Sequence, residues 1–401
     1  MPATNAATVW AMTDHTVGVV GLGGLGSAAA YWLARRGVDV VGFEQFDLGH
    51  VRGASHDHSR IIRRSYHTPG YVELSAKAYD AWAEVERESG ESIVCRTGGI
   101  DLFPADGIID ASSYTSSLDA IGVPYEWIDG DEVRRRWPAF ARGDLIDDSV
   151  MAIYSPDTGI VPAGRGTAIL QRLARERGAE LRPNTPVKEI RPVDGEVDVV
   201  TDSGAVRCGR VIVTADAWTN ALLAPLGHEL PLVVLREQVS YFPTADLASF
   251  APGRFPVWIW MDDPSYYGFP VYGDTTGVKA AEDCGGPEVD ADTRTFDPDP
   301  DMESRLGEFM RGLTGDRFGR PRSTTCLYTM TSDRDFVVDR LPDVPQVLVG
   351  LGAAHGFKFA AWFGRTLAGL ACGAPAGPEL APFAFTRPTL HVPISREAWL
   401  V

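Results

Sequence analysis

The sequence predicts an α/β fold in which a parallel-sheet domain is interrupted by β-rich segments and completed near the C-terminus. Three observations support this prediction. The chain opens on a strand–turn–helix–strand unit over residues 17–44. A stretch dense in β-formers and aromatic residues follows at 231–280, and a strand-to-helix pattern returns at 347–372. Strands alternating with helices predict a parallel sheet, and the β-rich stretch predicts a separate antiparallel sheet.

The composition is that of a globular protein and excludes several classes of function. Of the 401 residues, 44% are hydrophobic and 23% are charged, and the formal net charge is −17. Such an acidic surface disfavours binding to nucleic acid and to anionic membranes. The chain has five cysteines and no CxxC pair, which argues against a zinc site and a disulfide framework.

Neither a membrane span nor a secretory leader is predicted. The sequence contains no run of 18 apolar residues, and the N-terminus lacks a basic region followed by an apolar core. Residues 1–11 are predicted to be a loose tail. We therefore expect a cytoplasmic protein without a metal site.

The first structural unit carries a glycine-rich turn. Residues 17–20 form an apolar strand and residues 27–36 are rich in helix formers. Between them, Gly21, Gly23 and Gly26 match the pattern GxGxxG, whose glycines permit a tight turn, close approach of a pyrophosphate and close helix–strand packing. Glu44 ends the second strand, where it can accept hydrogen bonds from ribose hydroxyls. The unit predicts a dinucleotide site but does not separate FAD from NAD.

The remaining elements are predicted from local patterns. The intervals 71–90, 130–137 and 161–177 are predicted helices, 187–213 a set of strands, 231–280 an antiparallel sheet, 285–304 an acidic surface loop, 347–350 a strand and 358–372 a helix.

Four separated motifs give the chain a resemblance to a known family. They are GASHDHSRIIRR at 53–64, YYGFP followed by GVK at 266–279, TCLYTMT at 325–331 and GAAHGFKF at 352–359. In this order they resemble the monomeric sarcosine oxidase and N-methyltryptophan oxidase family of flavoproteins. The resemblance implies a Rossmann-type FAD-binding domain (12–96, 152–228 and 325–390) and a discontinuous catalytic domain on an antiparallel sheet (97–151 and 229–324).

The resemblance also implies roles for individual residues. Cys326 is the expected covalent attachment point of FAD, although a packed core cysteine is the alternative. Arg63 and Lys358 are expected to bind the substrate carboxylate, unless they form structural ion pairs. Lys279 is expected at the site of oxygen reduction, the alternative being a surface lysine in a hairpin. The other implied residues are His56 and Arg60 near the flavin ring, Tyr267 and Tyr328 along the substrate, and Ser55, Val187, Gly356 and Lys358 at the cofactor.

Three positions depart from the family pattern. Asp283 stands where these enzymes have an active-site histidine; its carboxylate can pair with a polar substituent of the substrate or face water. The methionine of the pocket wall is replaced within residues 257–260, and we expect Trp258 to take its place. Asp216 replaces a glycine after a buried strand, a substitution that the turn can accept because aspartate tolerates left-handed dihedrals. These departures favour a bulkier or cyclic substrate over sarcosine.

The sequence therefore predicts a monomeric FAD-dependent oxidase of a secondary amine that carries a carboxylate, with O₂ as acceptor and imine and hydrogen peroxide as products. The substrate is an N-methyl, cyclic or glycated amino acid, and one form of this hypothesis is an oxidase of a cyclic imino acid in a natural-product pathway. Two other hypotheses stay open: an FAD-dependent amine dehydrogenase with another acceptor, and a non-catalytic flavin- or NAD-binding sensor or scaffold.

Overall fold

The computed structural model describes residues 14–399. The prediction of a loose tail at 1–11 falls outside the described residues. Within them, the strands are β1 (His15–Val20), β2 (Val40–Phe43), β3 (Arg60–Ile62), β4 (Cys95–Arg96), β5 (Gly99–Phe103), β6 (Glu126–Asp129), β7 (Met151–Ser155), β8 (Gly159–Val161), β9 (Glu180–Arg182), β10 (Val187–Val193), β11 (Glu196–Thr201), β12 (Gly204–Val213), β13 (Val233–Pro243), β14 (Val257–Trp260), β15 (Tyr266–Phe269), β16 (Gly277–Glu282), β17 (Arg322–Met330), β18 (Val337–Arg340) and β19 (Val347–Leu351). The α-helices are α1 (Gly24–Arg35), α2 (Pro69–Ser89), α3 (Ala111–Ile121), α4 (Gly130–Arg136), α5 (Ala163–Glu176), α6 (Thr219–Leu223), α7 (Pro300–Thr314) and α8 (Ala360–Ala371).

The first sheet has a parallel centre in the order β12-β1-β2-β9. Strand β12 is long, so that its first half pairs antiparallel with β11 and its second half pairs parallel with β19. All residues of β2 and β19 are buried, as expected for a parallel sheet covered on both faces. Helix α1 packs against α5 and α8, and Gly364 permits the α8 contact because a Cβ there would lie 2.3 Å from the Ala28 carbonyl carbon.

The second sheet has the order β17-β13-β16-β15-β14-β5-β7-β6. Its pairs are antiparallel except for β14 and β5, which run parallel. One face packs against α7 through a core that includes Trp258, Val278 and Leu306. Because successive strand residues point to opposite faces, Ile259 and Lys279 belong to the other face, where the cavities described below lie.

A third, three-stranded sheet joins β3, β8 and β4. Strand β3 directly follows the segment 53–59, the first part of the motif at 53–64. The pairing of β3 with β8 holds this motif beside the second sheet. The packing in this region is apolar, with Ile61 and Ile160 beside Val257 and Phe269.

Two sequence-based boundaries fall inside secondary structure. The predicted domain limits at 151/152 and 324/325 lie within β7 and β17, which both belong to the second sheet. The predicted surface loop at 285–304 is wrong at its end, because α7 begins at Pro300. Asp299 caps this helix by accepting hydrogen bonds from the backbone N–H groups of Asp301 and Met302.

The described residues contain neither a candidate membrane-spanning helix nor a candidate metal site. None of their helices combines the length and apolar character that a membrane crossing requires. Across residues 14–399, no group of three or more His, Cys, Asp and Glu side chains is arranged to hold a metal ion.

Candidate active site

The glycine-rich turn forms one end of a first cavity of about 330 Å³. Gly21 has a φ of 89°, a left-handed conformation that favours glycine. A Cβ on Gly26 would lie 1.9 Å from the Gly21 carbonyl oxygen, so only glycine permits the close approach of α1 to the turn. The Gly24 N–H donates to the Ser55 Oγ at 2.8 Å and ties the arginine-rich segment to the start of the helix. Gly23 lines the cavity beside these groups.

The buried carboxylate of Glu44 lies at the end of β2, in the lining of the same cavity. Its Oε2 accepts from the Leu22 N–H at 2.9 Å, and its Oε1 accepts from the Phe46 N–H at 3.1 Å. These two bonds fix the carboxylate while leaving acceptor capacity on both oxygens. Val187 and Gly356 also line the first cavity, as the sequence predicts.

Asp216 confirms the expected tolerance of this turn for aspartate. Its φ is 48°, and it lines the first cavity after β12. Burial raises the pKa of Asp216 to about 6. Its Oδ2 has no hydrogen-bond partner among the described residues.

A second cavity, of about 490 Å³, adjoins the first. Four residues line both: Arg60, Tyr328, Ala354 and Phe357. The second cavity contains the two cations that were predicted to bind a carboxylate. Arg63 pairs with the buried Asp101 at 3.2 Å, a partner that the sequence did not indicate.

Lys358 is the second of these cations and forms no ion pair with any described residue. It belongs to the turn that precedes α8, where its carbonyl oxygen accepts from the Trp82 Nε1–H at 2.9 Å. Its Nζ lies 5.9 Å from the centre of the Tyr66 ring. Burial and the neighbouring Arg63 and Arg334 together lower the pKa of Lys358 to about 7, partly opposed by the Asp283 carboxylate. An anion bound here would stabilise the charged form of the lysine.

Asp283 lines the second cavity, but its partner is another side chain. Its Oδ2 accepts from Arg334 Nη2 at 2.6 Å, so it neither stands alone nor simply faces water. Arg334 is buried, has a left-handed φ of 58° and also donates to the Trp399 carbonyl oxygen. The sequence analysis missed Arg334 because its contact with Asp283 spans 51 positions and has no local signal.

The aromatic wall agrees with the sequence prediction at two positions and differs at a third. Tyr267 and Tyr328 line the second cavity, with their hydroxyl oxygens 3.3 Å apart. The prediction for Trp258 is wrong: its side chain is fully buried on the opposite face of the sheet, stacked on Phe309. Ile259 lines the cavity instead, because a shift of one residue along a strand exchanges the two faces.

Lys279 is buried behind the cavities, with 2% of its side chain exposed, and lines neither of them. It is therefore not the surface lysine of the alternative interpretation. Its Nζ lies 2.7 Å from Asp57 Oδ2 and donates to the Ser59 carbonyl oxygen at 2.8 Å. Asp57 was not among the residues singled out in the sequence.

His56 and Arg60 differ in charge. Burial and the nearby Arg60 lower the pKa of His56 to about 4, so the imidazole is neutral near pH 7. Of these two residues, only Arg60 therefore contributes a positive charge near pH 7. Arg60 lines both cavities, pairs with Asp57 at 3.3 Å and donates to the Ala54 carbonyl oxygen at 3.0 Å.

Cys326 lies in the middle of β17, directly opposite Glu237 of β13. It lines neither cavity, but it shares a strand face with Tyr328, which lines both. The thiol is 4% exposed, and burial raises its pKa to about 11, although Arg60 lowers it. The neutral thiol therefore predominates near pH 7.

These features are those of a dinucleotide-binding fold whose first cavity adjoins a second cavity lined by Arg63 and Lys358. Comparison with known proteins then gives the family. Residues 16–370 match the family model described as FAD dependent oxidoreductase, and the chain belongs to this family.

Individual relatives and solved structures show which members of this family the chain resembles. The chain is 34% identical to a monomeric sarcosine oxidase of Streptomyces avermitilis, with 89% of this chain and 93% of the relative covered. It is 31% identical to a monomeric sarcosine oxidase of Bacillus sp. (strain B-0618), with 94% and 97% covered. The solved structure of NikD, an unusual amino acid oxidase essential for nikkomycin biosynthesis, aligns with a TM-score of 0.82 at 26% identity over 93% of this chain and 98% of that chain. The resemblance and fold class stated from the sequence are thus confirmed.

The residues present fit FAD, the cofactor of this family. A glycine turn opens a helix N-terminus to a pyrophosphate, Glu44 stands at the end of the second parallel strand, and Arg60 provides a permanent cation where the two cavities join. Among the residues first predicted for the cofactor, Gly26 supports the turn without lining the first cavity, and Lys358 lines only the second.

Proposed function

We propose that the protein is an FAD-dependent oxidase of a secondary amine that carries a carboxylate, and that it produces an imine and hydrogen peroxide. The observation that carries this proposal is Lys358, a half-buried lysine without an ion-pair partner among the described residues, in a cavity that adjoins the cofactor cavity. A cation largely withdrawn from water without a counter-ion is costly unless a ligand supplies the negative charge. The similarity to sarcosine oxidases supports the same chemistry.

Arg63 and Lys358 would bind the substrate carboxylate from two sides. The guanidinium of Arg63 is held by Asp101 and lies 4.8 Å from the Tyr66 ring centre, which fixes its orientation. Lys358 contributes a positive charge. A bound carboxylate raises the pKa of the ammonium, so a larger fraction of Lys358 is protonated when the substrate is bound. Together they would place the substrate amine toward Tyr267, Tyr328 and Arg60.

The amine must be neutral before it can give up electrons. The aromatic wall of Tyr267, Tyr328 and Phe269 supplies an apolar surface, and burial against it lowers the pKa of an amine. The positive charge of the nearby Arg60 also lowers the pKa of the amine, because like charges repel. These residues therefore favour the neutral amine without a dedicated carboxylate base.

Bound FAD would supply the two-electron oxidation of the carbon–nitrogen bond and pass the electrons to O₂. The chain provides charges around it: Arg60 stabilises negative charge at the junction of the cavities, and we assign to the positive charge of Lys279, which lines neither cavity, a through-space electrostatic role in the oxygen step. Cys326 is the proposed point of covalent attachment, which is supported by its position on the same strand face as Tyr328.

The substrate is expected to be bulkier than sarcosine, or cyclic. The second cavity measures about 490 Å³, within the range of pockets that hold drug-sized ligands. Asp283 and Arg334 line it as a pair, so they offer hydrogen bonds to a polar substituent without adding net charge. We expect specificity for a side chain with a polar end.

The proposal is tested with the purified protein and a set of N-methyl amino acids, proline, pipecolate and glycated amino acids. Anaerobic bleaching of the flavin by one of these amines, followed by peroxide formation on admission of air, is the expected result. Bleaching without peroxide would favour a dehydrogenase, and no bleaching by any amine would favour a non-catalytic flavin protein.

Covalent attachment has a separate test. Acid precipitation should leave the yellow colour in the pellet of the wild-type protein and release it to the supernatant from Cys326→Ala. Free flavin from the wild-type protein would contradict the role of Cys326. We further propose a cytoplasmic monomer with the predicted two-domain division; size-exclusion chromatography with light scattering is expected to give one chain per particle.

A further inference from the structure

The ammonium of Lys279 is completely used by the protein around it. An ammonium has three N–H donors, and Nζ lies 2.7 Å from Asp57 Oδ2, 2.8 Å from the Ser59 carbonyl oxygen and 3.3 Å from Ser59 Oγ. The ring of Phe269 lies 4.8 Å away on another side. Lys279 is therefore held in one orientation by an anion and two neutral acceptors.

Several contacts also fix the side chain of Asp57. Its φ of 83° is left-handed, a conformation that aspartate tolerates better than most residues. Its Oδ1 accepts from the Tyr241 hydroxyl and from the His58 N–H at 2.7 Å, and Arg60 lies 3.3 Å from Oδ2. Its side chain is 8% exposed. The segment before β3 thus presents a buried carboxylate to β16.

Without this carboxylate, nothing nearby would keep Lys279 charged. The charged and titratable groups that act on Lys279 or face it from β3, β13, β17 and the segment before β3 are His56, Asp57, His58, Arg60, Tyr241 and Cys326. Among these described neighbours, Asp57 is the only carboxylate. Burial and Arg60 lower the pKa of Lys279, the Asp57 carboxylate raises it, and the balance is about 8.

The composition of the chain adds a second argument. Only four of its 37 Lys and Arg residues are lysines, at positions 77, 188, 279 and 358; Lys77 and Lys358 line the second cavity, and Lys279 lies behind the cavities. Arginine would stay charged in a buried position without help, whereas the charge of a buried lysine depends on its neighbours. A lysine at 279 therefore requires a counter-ion if it is to remain an ammonium.

We propose that Asp57 is the counter-ion that keeps Lys279 protonated and oriented, and that it thereby acts as a positioning residue for the reaction of the reduced protein with oxygen. The second half of this inference rests on the oxygen step assigned to Lys279 above. The first half, the protonation of Lys279, stands independently of that function.

The protonation is tested by titrating the flavin-loaded protein labelled with ¹³C at the lysine Cε positions. Four signals are expected, and Lys279→Arg identifies the signal of Lys279. In the wild-type protein this signal should titrate near pH 8. In Asp57→Asn the midpoint should fall by about one to three pH units, the usual effect of losing a nearby opposite charge.

Tyr241→Phe is the matched control for this titration. It removes a hydrogen bond to the same carboxylate but leaves the negative charge in place. The midpoint of Lys279 should then move by less than in Asp57→Asn. Equal midpoints in the wild-type protein and Asp57→Asn would overturn the proposal.

The consequence for oxygen is tested by mixing the reduced protein with aerated buffer. At pH 8 we expect oxidation of Asp57→Asn to be at least about fivefold slower than wild type, since a fall of one pH unit from a midpoint near 8 lowers the protonated fraction at pH 8 from about one half to about one eleventh. The decrease in the rate of oxidation by O₂ should be larger than any decrease in the rate of anaerobic reduction by the amine. Adding Lys279→Arg to Asp57→Asn should restore much of the rate, because arginine needs no counter-ion; a double variant as slow as Asp57→Asn would overturn the charge argument.

Thermal denaturation shows whether Asp57→Asn folds. If it does not, the wild-type protein and Lys279→Arg are compared: the oxygen reaction of the wild-type protein is expected to decline as pH rises through about 8, and that of Lys279→Arg is expected not to. A decline of equal size in both proteins would contradict the proposal. If the reduced wild-type protein does not react with oxygen, the proposed oxidase function fails, whereas the lysine titration still decides the role of Asp57.

Discussion

One end of the first cavity is built by a single strand–helix–strand unit, whereas the charged pairs at the second cavity join distant segments. Gly21 and Glu44 line the first cavity from this unit, and Gly26 lets its helix approach the turn. In the second, the pairs Arg63–Asp101 and Asp283–Arg334 join segments that are 38 and 51 positions apart. The comparison teaches that a backbone site is specified locally, while a site of paired charges is specified by the tertiary fold.

The first prediction tests the backbone character of the first cavity and has the largest expected effect. Gly26→Ala places a Cβ 1.9 Å from the Gly21 carbonyl oxygen, so the turn and helix α1 must move apart. We expect loss of flavin from the purified protein and a decrease of about 3 kcal/mol in the free energy of unfolding. Visible absorbance and denaturant unfolding measure the two effects.

Gly307→Ala is the matched control for that substitution. Gly307 also lies within a helix, α7, but no atom lies within 4 Å of the Cβ it would gain. Alanine should therefore raise the stability by up to about 1 kcal/mol and leave the flavin bound. Equal stability and equal flavin content in the two variants would show that the turn does not depend on the absence of a side chain.

The second prediction tests the positive charge that Lys358 contributes to the second cavity. Lys358→Met removes the cation that lacks an ion-pair partner among the described residues, and acetate, as a probe of the carboxylate site, should bind about 10- to 150-fold more weakly, the equivalent of about 1.5–3 kcal/mol for a hydrogen bond to a charged group. Perturbation of the flavin spectrum measures the affinity.

The pH dependence of acetate binding sharpens the same prediction. Because the pKa of Lys358 is lowered to about 7, the lysine loses its charge as pH rises through that value. In the wild-type protein the affinity should fall above pH 7, by up to about tenfold per pH unit. In Lys358→Arg it should stay nearly constant, since arginine remains charged. A decline of equal size in both proteins would assign the titration to another group.

This difference between the cavities explains which parts could be predicted from the sequence. The glycine turn and Glu44 were predicted from spacing alone because their partners lie within one structural unit. Lys279, Arg63 and Lys358 were identified only through the family resemblance. Asp57, Asp101 and Arg334 were missed, because an acidic or basic residue gains its role from a partner that the linear pattern does not indicate.

Secondary structure shows the same limits. Helix α7 had a local signal in the Asp299–Pro300 start and the spacing of Met302, Leu306 and Met310, but the acidic, proline-rich composition before it favoured a loop. The face of β14 had no such signal. Its residues are apolar on both sides, so alternation of polar and apolar residues could not assign Trp258 or Ile259 to a face.

The third prediction tests the corrected face of β14 and has a smaller expected effect. Ile259→Ala changes a residue that lines the second cavity and should alter KM for the amine substrate severalfold. Trp258→Phe should lower the free energy of unfolding by about 1–3 kcal/mol through lost packing against Phe309 while leaving KM unchanged. Steady-state kinetics and denaturant unfolding separate the two, and a KM change confined to Trp258→Phe would reverse the assignment of the faces.

The smallest expected effect belongs to the contact between Tyr267 and Tyr328. Their hydroxyl oxygens lie 3.3 Å apart, which is long for a hydrogen bond between two hydroxyl groups. Tyr267→Phe should therefore change kcat/KM by less than about tenfold, the equivalent of about 1.4 kcal/mol or less for one neutral hydrogen bond. Tyr328 lines both cavities whereas Tyr267 lines only the second, so Tyr328→Phe should perturb the flavin spectrum as well as the kinetics. If Tyr267→Phe lowered kcat/KM far more than tenfold, its hydroxyl would have to contact the substrate directly, and the second cavity would then depend on neutral donors as much as on its paired charges.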